Sequence, residues 1–176
     1  MKSILTCVLF GFCIAGCGTT GSLVHLAPDY SDLPADELRA LAAEIESIVI
    51  KGEAEFSLKN VGGIVMDSPE MKQAIRTRAI RQPLLSGLLD SGFAEEGRNG
   101  LIAIKRNSAY KKATTSRQRD REAMLVMSEN RNRWTLYEGL VEANAWAPRN
   151  LSAVQEAFFL SRVPLMAPGQ LHAQTD

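Results

Sequence analysis

Cysteine, histidine and surplus charge are what this chain is short of. Its three cysteines, Cys7, Cys13 and Cys17, all lie in the first seventeen residues, so the body of the chain carries no thiol. That excludes cysteine nucleophiles, cysteine metal sites and a disulfide framework from the folded part. The two histidines, His25 and His172, stand near opposite ends. Zinc needs about three or four clustered ligands, so neither a metal nor a cofactor is expected. A serine hydrolase needs a base fixed beside its nucleophile, and no G-x-S-x-G elbow accompanies the serines. Twenty basic side chains balance twenty acidic ones, so no global field draws the chain toward nucleic acid. The longest apolar run, Ile4 to Ile14, covers eleven residues, whereas a membrane-crossing helix needs about 20.

That short run is nonetheless the most informative segment present. Met1-Lys2-Ser3 supplies a positive charge before it, and Ile14-Ala15-Gly16-Cys17 closes it in the small-residue pattern of a bacterial lipobox. The arrangement fits an export signal, which is removed and takes no part in the fold. The expectation is a signal peptide over residues 1–16, then a lipidated Cys17 carrying diacylglycerol and an amino-linked acyl chain such as palmitate. Several acyl chains hold a protein to a bilayer where a single myristoyl chain binds marginally. The competing reading is an ordinary secretory signal with an incidental cysteine. Gly18, in place of aspartate, points by the Gram-negative sorting convention to the outer membrane, with the chain facing the periplasm.

With 45% apolar and 23% charged residues, the remainder has the composition of a globular domain. The expected class is mainly α (α+β): one small helical domain over residues 31–176 with a short β-hairpin, after a tether over 17–30. A helix capped by Ser31 or Asp32, with Pro34 in its first turn, carries the stripe Leu38, Leu41, Ala42, Ile45, Ile48 and Val49 to a stop at Gly52. Residues 53–65 read either as strand and turn or as irregular loop. Ser68-Pro69-Glu70 opens a second helix, which Pro83 should kink or split and Gly92 should end. Asn99-Gly100 predicts a hairpin within Phe93–Lys105. A loop then enters a helix near Thr115 or Ser116 that reaches Asn144. Met124, Met127, Trp134, Tyr137 and Val141 lie on its apolar face with Leu140 beside them, and Arg131, Arg133, Glu138 and Glu142 lie on its polar face. A last helix starts at Asn150 or Ser152, where Ser152 and Gln155 form a capping box, and ends at Pro164. Pro168-Gly169 turns into a polar tail.

Two surfaces qualify as candidate sites. Lys105, Arg106, Lys111, Lys112, Arg117, Arg119 and Arg121 face a single acid, Asp120, in one stretch, and could meet anionic lipid, lipopolysaccharide or peptidoglycan. The adjacent carboxylates Glu95 and Glu96 read as a surface turn rather than an acid–base pair. Trp134, Tyr137 and Trp146 read as core before binding face.

Several spaced motifs occur together: Ile75-Arg76-x-Arg78, Leu85-x-x-Leu88-Leu89-x-x-Gly92-Phe93-x-Glu95 and Asn99-Gly100-Leu101. Asn130-Arg131-x-Arg133, Tyr137-x-x-Leu140-x-x-x-Asn144, Ser152-Ala153-Val154 with Ala157, and Pro168-Gly169-Gln170 follow in order. Over about Met71 to Gln170 the sequence resembles the YdbL-like family of bacterial envelope proteins. It departs from that pattern in its basic 105–121 segment, in lacking a basic residue before the Pro168 turn, and in its lipobox. The resemblance implies no enzyme activity and no catalytic residues. It implies association with an AsmA-like protein and a small lipoprotein that bridge two membranes for lipid transport, with this chain as a modulator of assembly. Gly92, Glu95, Gly100, Arg131 and Tyr137, with Leu140, are the positions it would offer as a partner surface.

Overall fold

A computed structural model describes residues 27–58 and 62–174; the signal segment, Cys17, Gly18 and His25 lie outside the described residues. The element order is α1 (Ala35–Lys51), α2 (Pro69–Asp90), β1 (Ala94–Glu96), β2 (Ile102–Ile104), α3 (Ser108–Ala113), α4 (Ser116–Ala143), α5 (Leu151–Arg162) and β3 (Leu171–His172). Single 3-10 turns flank α5 at Pro148–Asn150 and Val163–Leu165. The fold is therefore mainly helical with a small sheet, and its strand order is β2-β1-β3.

Helix α1 buries the whole stripe from Leu38 to Val49. Its start differs from expectation: Pro34 occupies the cap position and no side chain caps it, and the first helical bond runs from the Leu38 N–H to the Pro34 carbonyl at 2.8 Å. Ser31 and Asp32 are drawn elsewhere. Arg149 pairs with Asp29 and Asp32, and the buried Asn150 amide donates to the Asp29 and Ser31 carbonyls at 3.0 and 3.1 Å. Tyr30 donates its hydroxyl to Glu156. The segment read as tether up to Tyr30 is thus fastened to the start of α5 from Asp29 onward.

In α2 the Ser68 hydroxyl accepts from the Glu70 and Met71 N–H groups, with Pro69 at the first helical position. Pro83 does not split the helix. Its ring sits on the exposed side, while Arg78 and Leu85, Leu88 and Leu89 are held by buried partners on either side of it. Between α1 and α2 the described residues of that ambiguous stretch, 53–58 and 62–65, form no strand. Ile64 is buried, and Phe56, Leu58 and Met66 pack on the core.

The hairpin forms as its turn chemistry predicts: Ala94, Glu95 and Glu96 pair antiparallel with Ile104, Ala103 and Ile102. The tail adds an unforeseen third strand, since Leu171 and His172 pair parallel with Glu95 and Glu96. Gly100 sits at φ 68°, and its carbonyl accepts from the Tyr137 hydroxyl and from Arg133 Nη1, both at 2.9 Å. A Cβ there would lie 2.8 Å from the Tyr137 oxygen and 3.0 Å from the Gln155 carbonyl. Gly100→Ala is expected to cost about 1–3 kcal/mol from left-handed strain and crowding; a chemical-denaturation series compared with Gly169→Ala, where the same strain meets open space, would isolate the crowding.

Helix α4 begins at Thr115, and the capping box is Thr115 with Gln118, not Ser152 with Gln155. Ahead of it, part of the expected loop is helical: Asn107 accepts the Tyr110 N–H at 2.8 Å and starts α3. The face of α4 is also rotated from the predicted one. Met124 and Met127 are 72% and 71% exposed, whereas Glu129 and Arg133 are inside with Val126, Leu136, Tyr137 and Leu140. Asn130 of α4 and Asn144, which caps its end, clamp backbone elsewhere. Asn130 gives and takes one hydrogen bond with Ile102, and Asn144 does the same with Val65.

The apolar interior is in two parts. One joins α1, the first turns of α2, the second half of α4 and α5, centred on Ile45, Ile75, Tyr137 and Phe158. The other joins the end of α2, the hairpin and the start of α4, centred on Leu85, Leu89, Ile102 and Val126. Each fully buried aliphatic side chain contributes about 1.5–3 kcal/mol.

Candidate functional site

Between those two apolar parts lies the principal concentration of ionisable groups, a ring of three glutamates and three arginines. Along α2 Arg78 falls between Ile75 and Leu85, and along α4 Glu129 and Arg133 fall between Val126 and Leu136. Helix α1 contributes Glu46, β1 contributes Glu96 and α5 contributes Arg162. All six residues are 2% exposed or less.

The bonds run around a closed circuit in which signs alternate. Arg78 donates Nη2 to both oxygens of Glu46, at 2.8 and 3.0 Å, and Nε to Glu129 Oε1 at 2.8 Å. Arg133 donates Nε to the same Glu129 oxygen at 2.9 Å. It also forks onto Glu96, at 2.6 Å from Nη1 and 3.0 Å from Nη2. Arg162 closes the ring, with Nε donating to Glu96 Oε1 at 2.6 Å and Nη1 to Glu46 Oε2. Arg81, at the rim, donates to the remaining oxygen of Glu129 at 3.3 Å. Every carboxylate oxygen is therefore occupied. The Nη1 of Arg78 has no partner.

Electrostatics follow from this geometry. Burial pushes the Glu96 carboxyl up, but Arg133 and then Arg162 outweigh it and bring it down to about 2. Burial likewise opposes ionisation of Glu129 and Glu46, and their arginine neighbours hold both below the ordinary carboxylate range. Burial alone would lower the Arg78 guanidinium, yet Glu46 and Glu129 raise it overall. The ring carboxylates are held ionised near neutral pH, each engaged by arginine, so none carries a proton to donate as a general acid.

The adjacent carboxylates of β1 point to opposite faces, as strand geometry requires. Glu96 enters the ring, which overturns its reading as a surface turn. Glu95 stays half-exposed and pairs with Lys105 at 3.0 Å. The partner positions suggested by the family resemblance are not gathered on one surface. Gly100, Tyr137 and Leu140 are buried, so they support the interior and cannot meet a partner. Gly92 and Glu95 are half-buried, and Arg131 is exposed on α4. Arg133, placed by its spacing on the polar face, is a ring member. Trp134 and Trp146 are half-buried, the latter packed on the first apolar part.

The basic segment divides. Arg119 is turned inward, donating to the Thr114 carbonyl at 2.6 Å, and Lys105 is held by Glu95. Arg106, Lys111, Lys112, Arg117 and Arg121 are exposed. Tyr110 is buried beside Arg106 and Lys111, its hydroxyl bonded to Glu122 at 2.6 Å, and burial with that bond pushes its phenol up to about 12. Next to α3 an open groove of about 570 Å³ separates the end of α2 from the start of α4.

Sequence reasoning missed Glu46, Arg78, Glu129 and Arg162. The available signal was a charge standing inside an apolar stripe: Glu46 between Ile45 and Ile48, and Arg162 one turn after Phe158 and Phe159. Among the described residues no group of acids and histidines is placed to hold a metal ion, and no helix is long and apolar enough to cross a membrane. No protein-family profile matches the chain, and comparison with characterised proteins and with solved structures finds none that matches it.

Proposed function

We propose that this chain is a bacterial envelope lipoprotein, fastened through Cys17 to the outer membrane and facing the periplasm, whose folded body works by contact rather than by chemistry. In this reading it modulates an envelope lipid-transport or membrane-maintenance assembly, as the resemblance to YdbL-like proteins implies, with an AsmA-like protein as the suspected partner. The observation that carries it is the ring: the most concentrated set of ionisable groups is spent on holding α1, α2, α4, α5 and β1 together. The lipobox at Ile14–Cys17 supports the address, because a lipid anchor raises the local concentration of the domain beside a membrane-held partner. A second reading, a module for anionic lipid, lipopolysaccharide or peptidoglycan, is favoured by the exposure of five cations within residues 105–121.

The address is tested at Cys17. Labelled palmitate should enter the wild-type chain and not Cys17→Ser, and the variant should move from the membrane fraction to the soluble one. An unlabelled wild type, or a mass spectrum with an unmodified N-terminus, would remove the anchor from this reading. The contact reading is tested by crosslinking through exposed Arg131 and half-buried Glu95. Tyr137 and Leu140 are unsuited to that purpose, because replacing them opens the core.

A further inference from the structure

Helices α2 and α4 run antiparallel, with Arg81 bonded to Ser128 at one level and Leu84 and Leu88 opposite Arg121 and Leu125 at the next. Each presents an outward stripe at i, i+4 and i+7 spacing. On α2 the stripe is Ile80, Leu84 and Gly87, with Ile80 69% and Leu84 68% exposed. On α4 it is Arg117, Arg121 and Met124, with Met124 72% exposed. Between them lies the 570 Å³ groove, also lined by Leu88, Phe93 and Leu125 and, where α3 ends, by Ala113 and Thr114. Lys111 and Lys112 are exposed on α3 next to these residues in sequence, Lys111 lining a neighbouring groove with Arg106 and Asp120. The acids beside this face are Glu122, which is engaged by the Tyr110 hydroxyl, and Asp120.

Exposed aliphatic and thioether side chains set beside a surplus of exposed cations match the headgroup boundary of an anionic bilayer, where apolar groups sink and basic groups stay with phosphates. An acidic protein would match the cations but gives no reason for large aliphatic groups held out in water. We propose that this face docks on an anionic phospholipid surface, with Leu84 and Met124 entering the acyl boundary while Lys111, Lys112, Arg117 and Arg121 meet the headgroup phosphates. The proposal rests on the second reading above, narrowed to lipid, and does not require Cys17 to be acylated.

The test uses the full chain as Cys17→Ser, sedimented with vesicles of phosphatidylcholine alone or mixed with phosphatidylglycerol. Binding is expected only to the mixed vesicles and should weaken with salt. Lys111→Glu with Lys112→Glu and Arg121→Glu should weaken it roughly a hundredfold, at about fivefold per lost attraction. Leu84→Ser should weaken it by about tenfold. Both variants change exposed side chains, so their thermal melts should match the parent. Equal sedimentation with both vesicle types would overturn the proposal, as would mixed-vesicle binding that ignores the charge reversals. Capture of the chain by polyglutamate more tightly than by the mixed vesicles would overturn it in favour of an acidic protein.

Discussion

Glu129→Gln is expected to lower the free energy of unfolding by about 3–5 kcal/mol. The exchange preserves volume and opens no cavity, so the loss reports charge. Glu129 is fully buried and accepts from Arg78, Arg133 and Arg81. Without its charge, three glutamates and three arginines become two and three, and a guanidinium is left in the interior without its counter-ion. Urea titration would show a lower midpoint at an unchanged slope, and the melting temperature should fall by roughly 10 °C. Glu138→Gln, on the exposed side of the same helix, should stay within about 0.5 kcal/mol of the parent. A loss below about 1 kcal/mol at Glu129 would mean that the ring is hydrated or open in solution.

Acid should unfold the protein through the same carboxylates. A group whose folded pKa lies below its unfolded value stabilises the fold above the unfolded value, and that contribution disappears as pH falls through the folded one. Glu96 goes from an ordinary 4.5 to about 2, which places roughly 3 kcal/mol of stability in that window. Glu46 and Glu129 shift in the same direction. Stability is therefore expected to be flat from neutral pH to about 5 and to fall steeply below about 4. Urea midpoints measured across that range would show it. Arg162→Met should flatten the acid limb by removing a partner of both Glu46 and Glu96, at the cost of a lower plateau near neutral pH. A midpoint independent of pH between 5 and 2 would contradict the ring as drawn.

The elements whose local chemistry is self-sufficient were legible from the chain alone. The stripe of α1, the Ser68-Pro69-Glu70 start, the Asn99-Gly100 turn and the Thr115 boundary each follow from propensity and capping over a few neighbouring residues. The features that failed depend on partners far away in sequence. Arg133 looked solvent-facing because a charge on a helix is usually solvated; its burial requires Glu96 and the Gly100 carbonyl, 37 and 33 positions away. Met124 and Met127 looked like core because they are apolar, and periodicity has no means of telling an exposed methionine from a buried one. Pro83 looked like a kink or a break, and the helix runs through it without a break, with Arg78, Leu85, Leu88 and Leu89 buried on either side. The motifs that suggest a YdbL-like family fall largely on interior residues. Arg78 and Arg133 build the ring, while Asn130, Asn144 and Tyr137 fix loops and turn. Their spacing therefore carries information about folding, and it leaves the partner surface to be sought among other residues.

A circuit of alternating signs also limits how such a sequence can drift. Any member replaced singly strands the two neighbours it separates, so no member can be lost by a small step. The interior can abandon its ions only by exchanging several of them together for hydrocarbon, a combination that passes through much weaker proteins on the way. The arrangement is thus kept in place by the depth of the valley around it, whether or not an all-hydrocarbon centre would be the more stable one.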